Sequence, residues 1–187
     1  STVIPALTNQ TSTTTLGGDT YSITVTDSAG CVATTSQFIA EPNVLIAAVT
    51  ATTSPLCFGS CDGTATLSTS GGNGGNTILW SAGSSVTSAI DTGLCVGPIS
   101  VTVTDINGCS ATASSVITGP TALNLVTVSV TNVSCNGACD GTIDVAASGA
   151  TTPYTFTWTS GVSTGTLATG LCPGNYTTTV TDANGCT

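Results

Sequence analysis

The sequence predicts an all-β chain of tandem sandwich domains. Three observations carry that expectation. The same motifs return about every 78 residues, the stretches between them alternate apolar with polar side chains, and the polar residues are mostly Thr, Ser, Gly and Asn. Thr suits a pleated strand because its branched Cβ packs well there. Gly, Asn, Asp and Pro supply turns. No helical periodicity of useful length competes.

The repeat is explicit. VTDSAGC (Val25–Cys31), VTDINGC (Val103–Cys109) and VTDANGC (Val180–Cys186) are offset by 109 − 31 = 78 and 186 − 109 = 77. CFGSCDGT (Cys57–Thr64) returns as CNGACDGT (Cys135–Thr142), and Trp80 returns as Trp158, both after 78 residues. GLC (Gly93–Cys95) returns after 77 at Gly170–Cys172, so one residue is lost between Trp158 and Leu171. Solenoid periods run about 20–50 residues, so a period this long denotes a domain. Pro42 and Pro120 stop strands and stiffen linkers. They divide the chain into the C-terminal part of a first repeat (1–42), a complete repeat (43–120) and a repeat lacking its last strand (121–187). The expectation is a segment of a much longer polypeptide, its domains arranged head to tail.

The strands follow in order. Leu123–Val133 reads as strand A. Gly141–Ser148 is strand B with Ile143 and Val145 inward, and Tyr154–Trp158 is strand C with Tyr154, Phe156 and Trp158 on one face. Asn175–Asp182 is strand F; its counterpart turns Ile99, Val101 and Val103 inward and Ser100, Thr102 and Thr104 outward. Cys31–Pro42 is strand G. The Asp-x-Asn-Gly between F and G is a turn in which Asn and Gly take positive φ and Asp caps its own backbone. Short alternating strands with a Trp on strand C indicate an immunoglobulin-type β-sandwich.

Composition excludes several functions. Lys, Arg, His and Met are absent, and nine acidic residues give a net charge of −9. Without cations the chain has no means of neutralising phosphates, so nucleic acid and anionic membrane surfaces are not expected partners. No side-chain salt bridge can form within it. The longest apolar run, Val44–Val49, is far short of a membrane span. Catalysis is not expected either: neither His nor Lys is present as a base, and the cysteines suit an oxidising, extracellular setting. Asp27, Asp105 and Asp182 at the F–G turns, with Asp62 and Asp140 before strand B, read as turn caps. Calcium is the sharper reading of these carboxylates, but no Asp-rich loop supplies its oxygens. No cofactor is expected.

Nine cysteines remain: Cys31, Cys57, Cys61, Cys95, Cys109, Cys135, Cys139, Cys172 and Cys186. The A–B loop and the E–F corner lie at one end of a sandwich and the F–G turn at the other. A seven-residue strand spans roughly 23 Å, whereas disulfide Cα atoms approach within about 7 Å. Cys186 is therefore out of reach of Cys172, but it faces Cys57, Cys61 and Cys95 of the preceding repeat. One reading pairs two of these three with each other and the third with Cys186, while Cys31 and Cys109 bond to other repeats. The other reading makes two independent bridges in each repeat. Connectivity is not deducible from spacing alone.

The stretches CNGACDGTI (Cys135–Ile143), PYTFTW (Pro153–Trp158) and GNYTTTVTDANGC (Gly174–Cys186), with the Glu41–Pro42 linker, resemble the SprB repeat family, itself similar to PKD-type sandwich domains. The resemblance implies giant cell-surface adhesins of gliding bacteria, exported by the type IX secretion system, with no catalytic residues. It implies O-glycosylation at Asp-Ser/Thr sites, which makes Ser28, Thr20 and Thr92 candidates. Asn9, Asn132 and Asn175 head formal N-glycosylation sequons. The expected role is structural: a disulfide-reinforced, glycosylated extracellular filament for adhesion or gliding, its partners being neighbouring repeats or other copies. The alternatives are a self-assembling surface sheath and a modular glycan-binding region. The latter is disfavoured because Trp80 and Trp158 fall on the core face.

Overall fold

The computed structural model describes residues 17–81 and 88–187. It opens with a hairpin, β1 (Asp19–Thr26) and β2 (Val32–Ile39), paired antiparallel from Asp19↔Ile39 to Thr26↔Val32. Then come β3 (Ile46–Thr53), β4 (Gly63–Ser70), β5 (Thr77–Trp80), β6 (Ile90–Leu94), β7 (Gly97–Thr104) and β8 (Ser110–Ile117). They form two three-stranded sheets, β3-β4-β6 and β5-β7-β8. The pattern returns as β9 (Asn124–Thr131), β10 (Gly141–Ser148), β11 (Thr155–Trp158), β12 (Leu167–Leu171) and β13 (Thr178–Thr181). Here the sheets are β12-β10-β9 and β11-β13. All described pairings are antiparallel.

Alternation explains the cores. In the first sandwich, Ile99, Val101 and Val103 of β7 and Trp80 of β5 face Ala65 and Leu67 of β4 and Leu94 of β6, all buried. Burying such aliphatic side chains contributes roughly 1.5–3 kcal/mol each. In the second, Val145, Trp158, Ala168 and Leu171 form the equivalent cluster, with Ile143, Phe156 and Tyr176 packed against it, and Val180 is also buried. Each indole also pins a loop. Trp80 Nε1 donates to the Ser88 carbonyl at 3.3 Å and Trp158 Nε1 to the Gly165 carbonyl at 2.8 Å. The offset is 158 − 80 = 78 at the ring and 165 − 88 = 77 at the acceptor, so the lost residue lies between Trp158 and Gly165.

Several strands are shorter than alternation predicts. Strand A is Asn124–Thr131, C is Thr155–Trp158 and F is Thr178–Thr181, while the first G strand is Val32–Ile39. Strand F is short because the described β13 pairs only with the four-residue β11, whereas β7 also pairs along its length with β8. The Tyr176 hydroxyl donates to the Cys172 carbonyl at 3.0 Å, and Thr177 N donates to Thr159 Oγ1 at 3.1 Å. The F–G turns also depart from expectation. Gly108 and Gly185 have φ of 86° and 85°, but the preceding asparagines are not in that region. Asn184 acts through its side chain instead, as described below.

Thr178 is the weak point of the second core. It occupies the place of Val101, which is 1% exposed, and its Oγ1 is buried without a hydrogen-bond partner among the described residues. Thr178→Val keeps the volume and removes the unsatisfied hydroxyl. A gain of about 1 kcal/mol is expected, read as a thermal midpoint higher by roughly 3 °C. An unchanged or lower midpoint contradicts this account of the core.

Candidate functional site: the disulfide junction between the sandwiches

The junction is built from a turn that the sequence writes three times. In VTDANGC, Asp182 Oδ1 accepts the backbone N–H of Asn184 at 2.9 Å and of Cys186 at 2.8 Å. Asp182 N in turn donates to the Cys186 carbonyl at 3.0 Å. Asp105 holds Asn107 and Cys109 in the same way, both at 2.9 Å. Asp27 holds Ala29 and Cys31, both at 2.8 Å. The carboxylate thus closes a loop and sets the direction of the cysteine that follows.

The second carboxylate oxygen reaches a neighbouring loop. Asp182 Oδ2 accepts Thr151 N at 3.1 Å, and Asp105 Oδ2 accepts Asn73 N at 3.0 Å. Both carboxylates are only 5% exposed. Burial alone raises their pKa, but the N–H donors outweigh it and hold both below the ordinary aspartate value. Hydrogen bonds also lower Asp27, led by Cys31 N–H, and Asp62 and Asp140, led by the hydroxyls of Ser60 and Ser134. Asp62 Oδ1 accepts Leu56 N at 3.1 Å and Asp140 Oδ1 accepts Ser134 N at 2.9 Å, shaping the two C-x3-C loops.

On this frame Cys57 and Cys186 form a disulfide with Cα atoms 5.7 Å apart, across a sequence separation of 129. It joins the β3–β4 loop of the first sandwich to the turn after β13 of the second. Asn184 reinforces it: Nδ2 donates to the Leu56 carbonyl and to Thr151 Oγ1, both at 3.1 Å. Cys186 Sγ lies 3.6 Å from the same Leu56 carbonyl, a contact without a proton to share. Cys61–Cys95 and Cys139–Cys172 tie each A–B loop to its E–F corner, with Cα atoms 4.0 and 3.9 Å apart. Chain-entropy arguments assign about 4 kcal/mol to each of these two short bridges and about 5 kcal/mol to the long one. Cys31, Cys109 and Cys135 are exposed, free thiols.

Spacing does not single out Asn184 as a junction residue, because an Asn-Gly turn explains it locally. The glycosylation candidates Ser28, Thr20, Thr92, Asn132 and Asn175 are exposed, and Asn9 lies outside the described residues. Among the described residues no group of three or more His, Cys, Asp or Glu is placed to hold a metal ion. The Asp105 and Asp182 oxygens are engaged with N–H groups.

Three outcomes follow. Asp-specific digestion without reductant should release one cluster of peptides 27–61, 91–104 and 182–187, and a second of 105–139 and 144–181. Peptide 182–187 joined instead to 105–139 would contradict the junction. Asp182→Ala frees the N–H groups that aim Cys186, so a smaller fraction of chains should carry the Cys57–Cys186 bond in the same map. Finally, because the folded-state values of Asp105 and Asp182 are lowered, their stabilisation is complete above the ordinary aspartate value and is lost as pH falls through the lowered one. Thermal midpoints should be flat near neutrality and drop in acid. Replacing both residues by Asn should flatten that acid drop.

The SprB repeat family model matches the chain at residues 49–85 and 127–163. No curated protein sequence matches it. The two matched stretches start within β3 and β9 and run past the tryptophans of β5 and β11. They include Cys57 and its counterpart Cys135 but not Cys186. The chain therefore carries the SprB repeat at two places, on an all-β, disulfide-linked fold.

Proposed function

We propose that this chain is a tension-bearing segment of a long extracellular, adhesin-like filament. Its repeats of about 78 residues run head to tail, with each junction closed by a disulfide. The observation that carries the reading is the Cys57–Cys186 bond. A pull on the two ends of the chain passes along β3 to Cys57, across the two sulfurs and out past Cys186. Residues 58–185 are then off the load path. The free thiols fit the same scheme. Cys135 repeats Cys57, while Cys31 and Cys109 repeat Cys186, so each is half of a further junction of the same kind.

The SprB repeat supports a cell-surface location, and the disulfides fit an oxidising exterior. In this reading the chain is a structural protein without catalytic residues or cofactor. Its partners are neighbouring repeats and other copies, and sugars on exposed sites such as Ser28 shield a surface with few charges. Mass spectrometry of peptide 27–61 from the native protein tests the sugars: a mass above that of its sequence supports them at sites such as Ser28, and the bare sequence mass removes them.

Single-molecule pulling tests the load path. The oxidised chain should keep the 129-residue loop closed at every force that leaves the bond intact. Reduction should release roughly 450 Å of additional contour length, at about 3.5 Å per residue. Equal contour lengths in both states overturn the proposal.

A further inference from the structure

The turn before Cys186 does not need an asparagine. In the first repeat the same turn carries Ala29, and Asp27 Oδ1 accepts the N–H of Ala29 and of Cys31, both at 2.8 Å. Gly30 there has φ of 87°, against 85° for Gly185, and Asn184 itself is not at positive φ. The two turns thus share their carboxylate cap and the shape of their glycine. Neither feature explains the carboxamide of Asn184. Its contacts do.

Asn184 Nδ2 has two protons, and both are used. One goes to Thr151 Oγ1, within its own sandwich, at 3.1 Å. Thr151 is itself held there, because its N–H donates to Asp182 Oδ2. The other proton goes to the Leu56 carbonyl of the first sandwich, also at 3.1 Å. Leu56 is held from its own side too, since its N–H donates to Asp62 Oδ1. Donor and acceptor are each fixed within their own sandwich. The carbonyl they share leads straight into Cys57. Cys186 Sγ lies 3.6 Å from the same oxygen, so one group registers both the turn and the sulfur.

We propose that Asn184 is the positioning residue of the junction: it docks the turn on the Leu56 carbonyl before the sulfurs join, and so directs Cys186 to Cys57 rather than to Cys61 or Cys95. This rests on the junction reading above and adds how the pairing is chosen. In the reduced chain the Cys186 thiol still has its proton, which the Leu56 carbonyl accepts on its second lone pair. The non-covalent contact thus forms first, and the bond records it.

The test equilibrates the full chain with reduced and oxidised glutathione. The Cys186 thiolate attacks the Cys57 sulfur of a glutathione mixed disulfide. The Cys57–Cys186 bond forms, and glutathione leaves as a thiolate that takes up the proton lost from Cys186. Products are trapped in acid and mapped after cleavage at Asp and after Phe58, which separates Cys57 from Cys61. Asn184→Ala introduces the residue that the first turn already accommodates. It should lower the Cys57–Cys186 bond, relative to glutathione adducts of those two cysteines, by roughly fivefold, the weight of one hydrogen bond. The Cys139–Cys172 bridge should not change. In a Cys95→Ser chain, Cys61 loses its partner and competes with Cys57 for Cys186. There Asn184 should keep the Cys57 product ahead, and adding Asn184→Ala should move the ratio toward Cys61 by about fivefold. An unchanged partner ratio or an unchanged glutathione balance overturns the proposal and leaves Cys57 paired by elimination. An equal loss at Cys139–Cys172 also overturns it, assigning Asn184 to the fold of its own sandwich. An unsubstituted chain that forms no Cys57–Cys186 bond overturns the junction reading, and this proposal with it.

Discussion

The fold depends on how a chain without cations handles its buried carboxylates. Asp105 and Asp182 have no Lys or Arg to face, so backbone N–H groups must satisfy them. Each takes two from its own turn on one oxygen and one from a neighbouring loop on the other. Such charge-assisted bonds are stronger than neutral ones, and here they do more than cap a turn. They lock strand F to the loop before strand C and fix the direction of the cysteine four residues on. The position of Cys186 opposite Cys57 is thus a consequence of where Asp182 is held.

That placement changes what the sandwiches carry. In a string of domains linked only by peptide, tension passes through every core, and the weakest core sets the strength. With Cys57 bonded to Cys186, β4 to β13 lie inside a closed covalent loop, and in the proposed filament the hydrophobic clusters would need only to shape the ends. On the proposed load path, small cores with an uncomfortable residue such as Thr178 suffice. In that proposal their task is to present the A–B loop and the F–G turn at the right separation.

Much of this was legible in the sequence, for a physical reason. Strand alternation is local, so the β-rich fold, the inward faces of β7 and β10 and the buried tryptophans could be read residue by residue. The reach argument that separates Cys186 from Cys172 needs only a strand length. Other features were not legible because they depend on contacts across long separations. The partner of Cys186 among three thiols is decided by the path of the Cys57–Cys61 loop, which Asp62 shapes through Leu56 N. Asn184 was read as a positive-φ residue, but its side chain answers to the Leu56 carbonyl, 128 positions away. Strand F was read longer than the described β13 because alternation does not show that only four of its residues pair with β11.

The short bridges fit the load path proposed for the chain. Load reaching Cys57 would otherwise pull on a loop held only by the Asp62 turn and the end of β3. Cys61, four residues on, is bonded to Cys95 at the end of β6, so the loop is tied to the far strand of its own sheet. β3, β4 and β6 then share force that enters at one residue. The same arrangement holds Cys135 beside the Cys139–Cys172 bridge, which roots the exposed thiol in β10 and β12. An anchor that is stiff before its bond forms favours a disulfide, because less loop entropy remains to be lost on closing it. The intra-sandwich bridges thereby prepare the ends, and the inter-sandwich bond joins ends already in place.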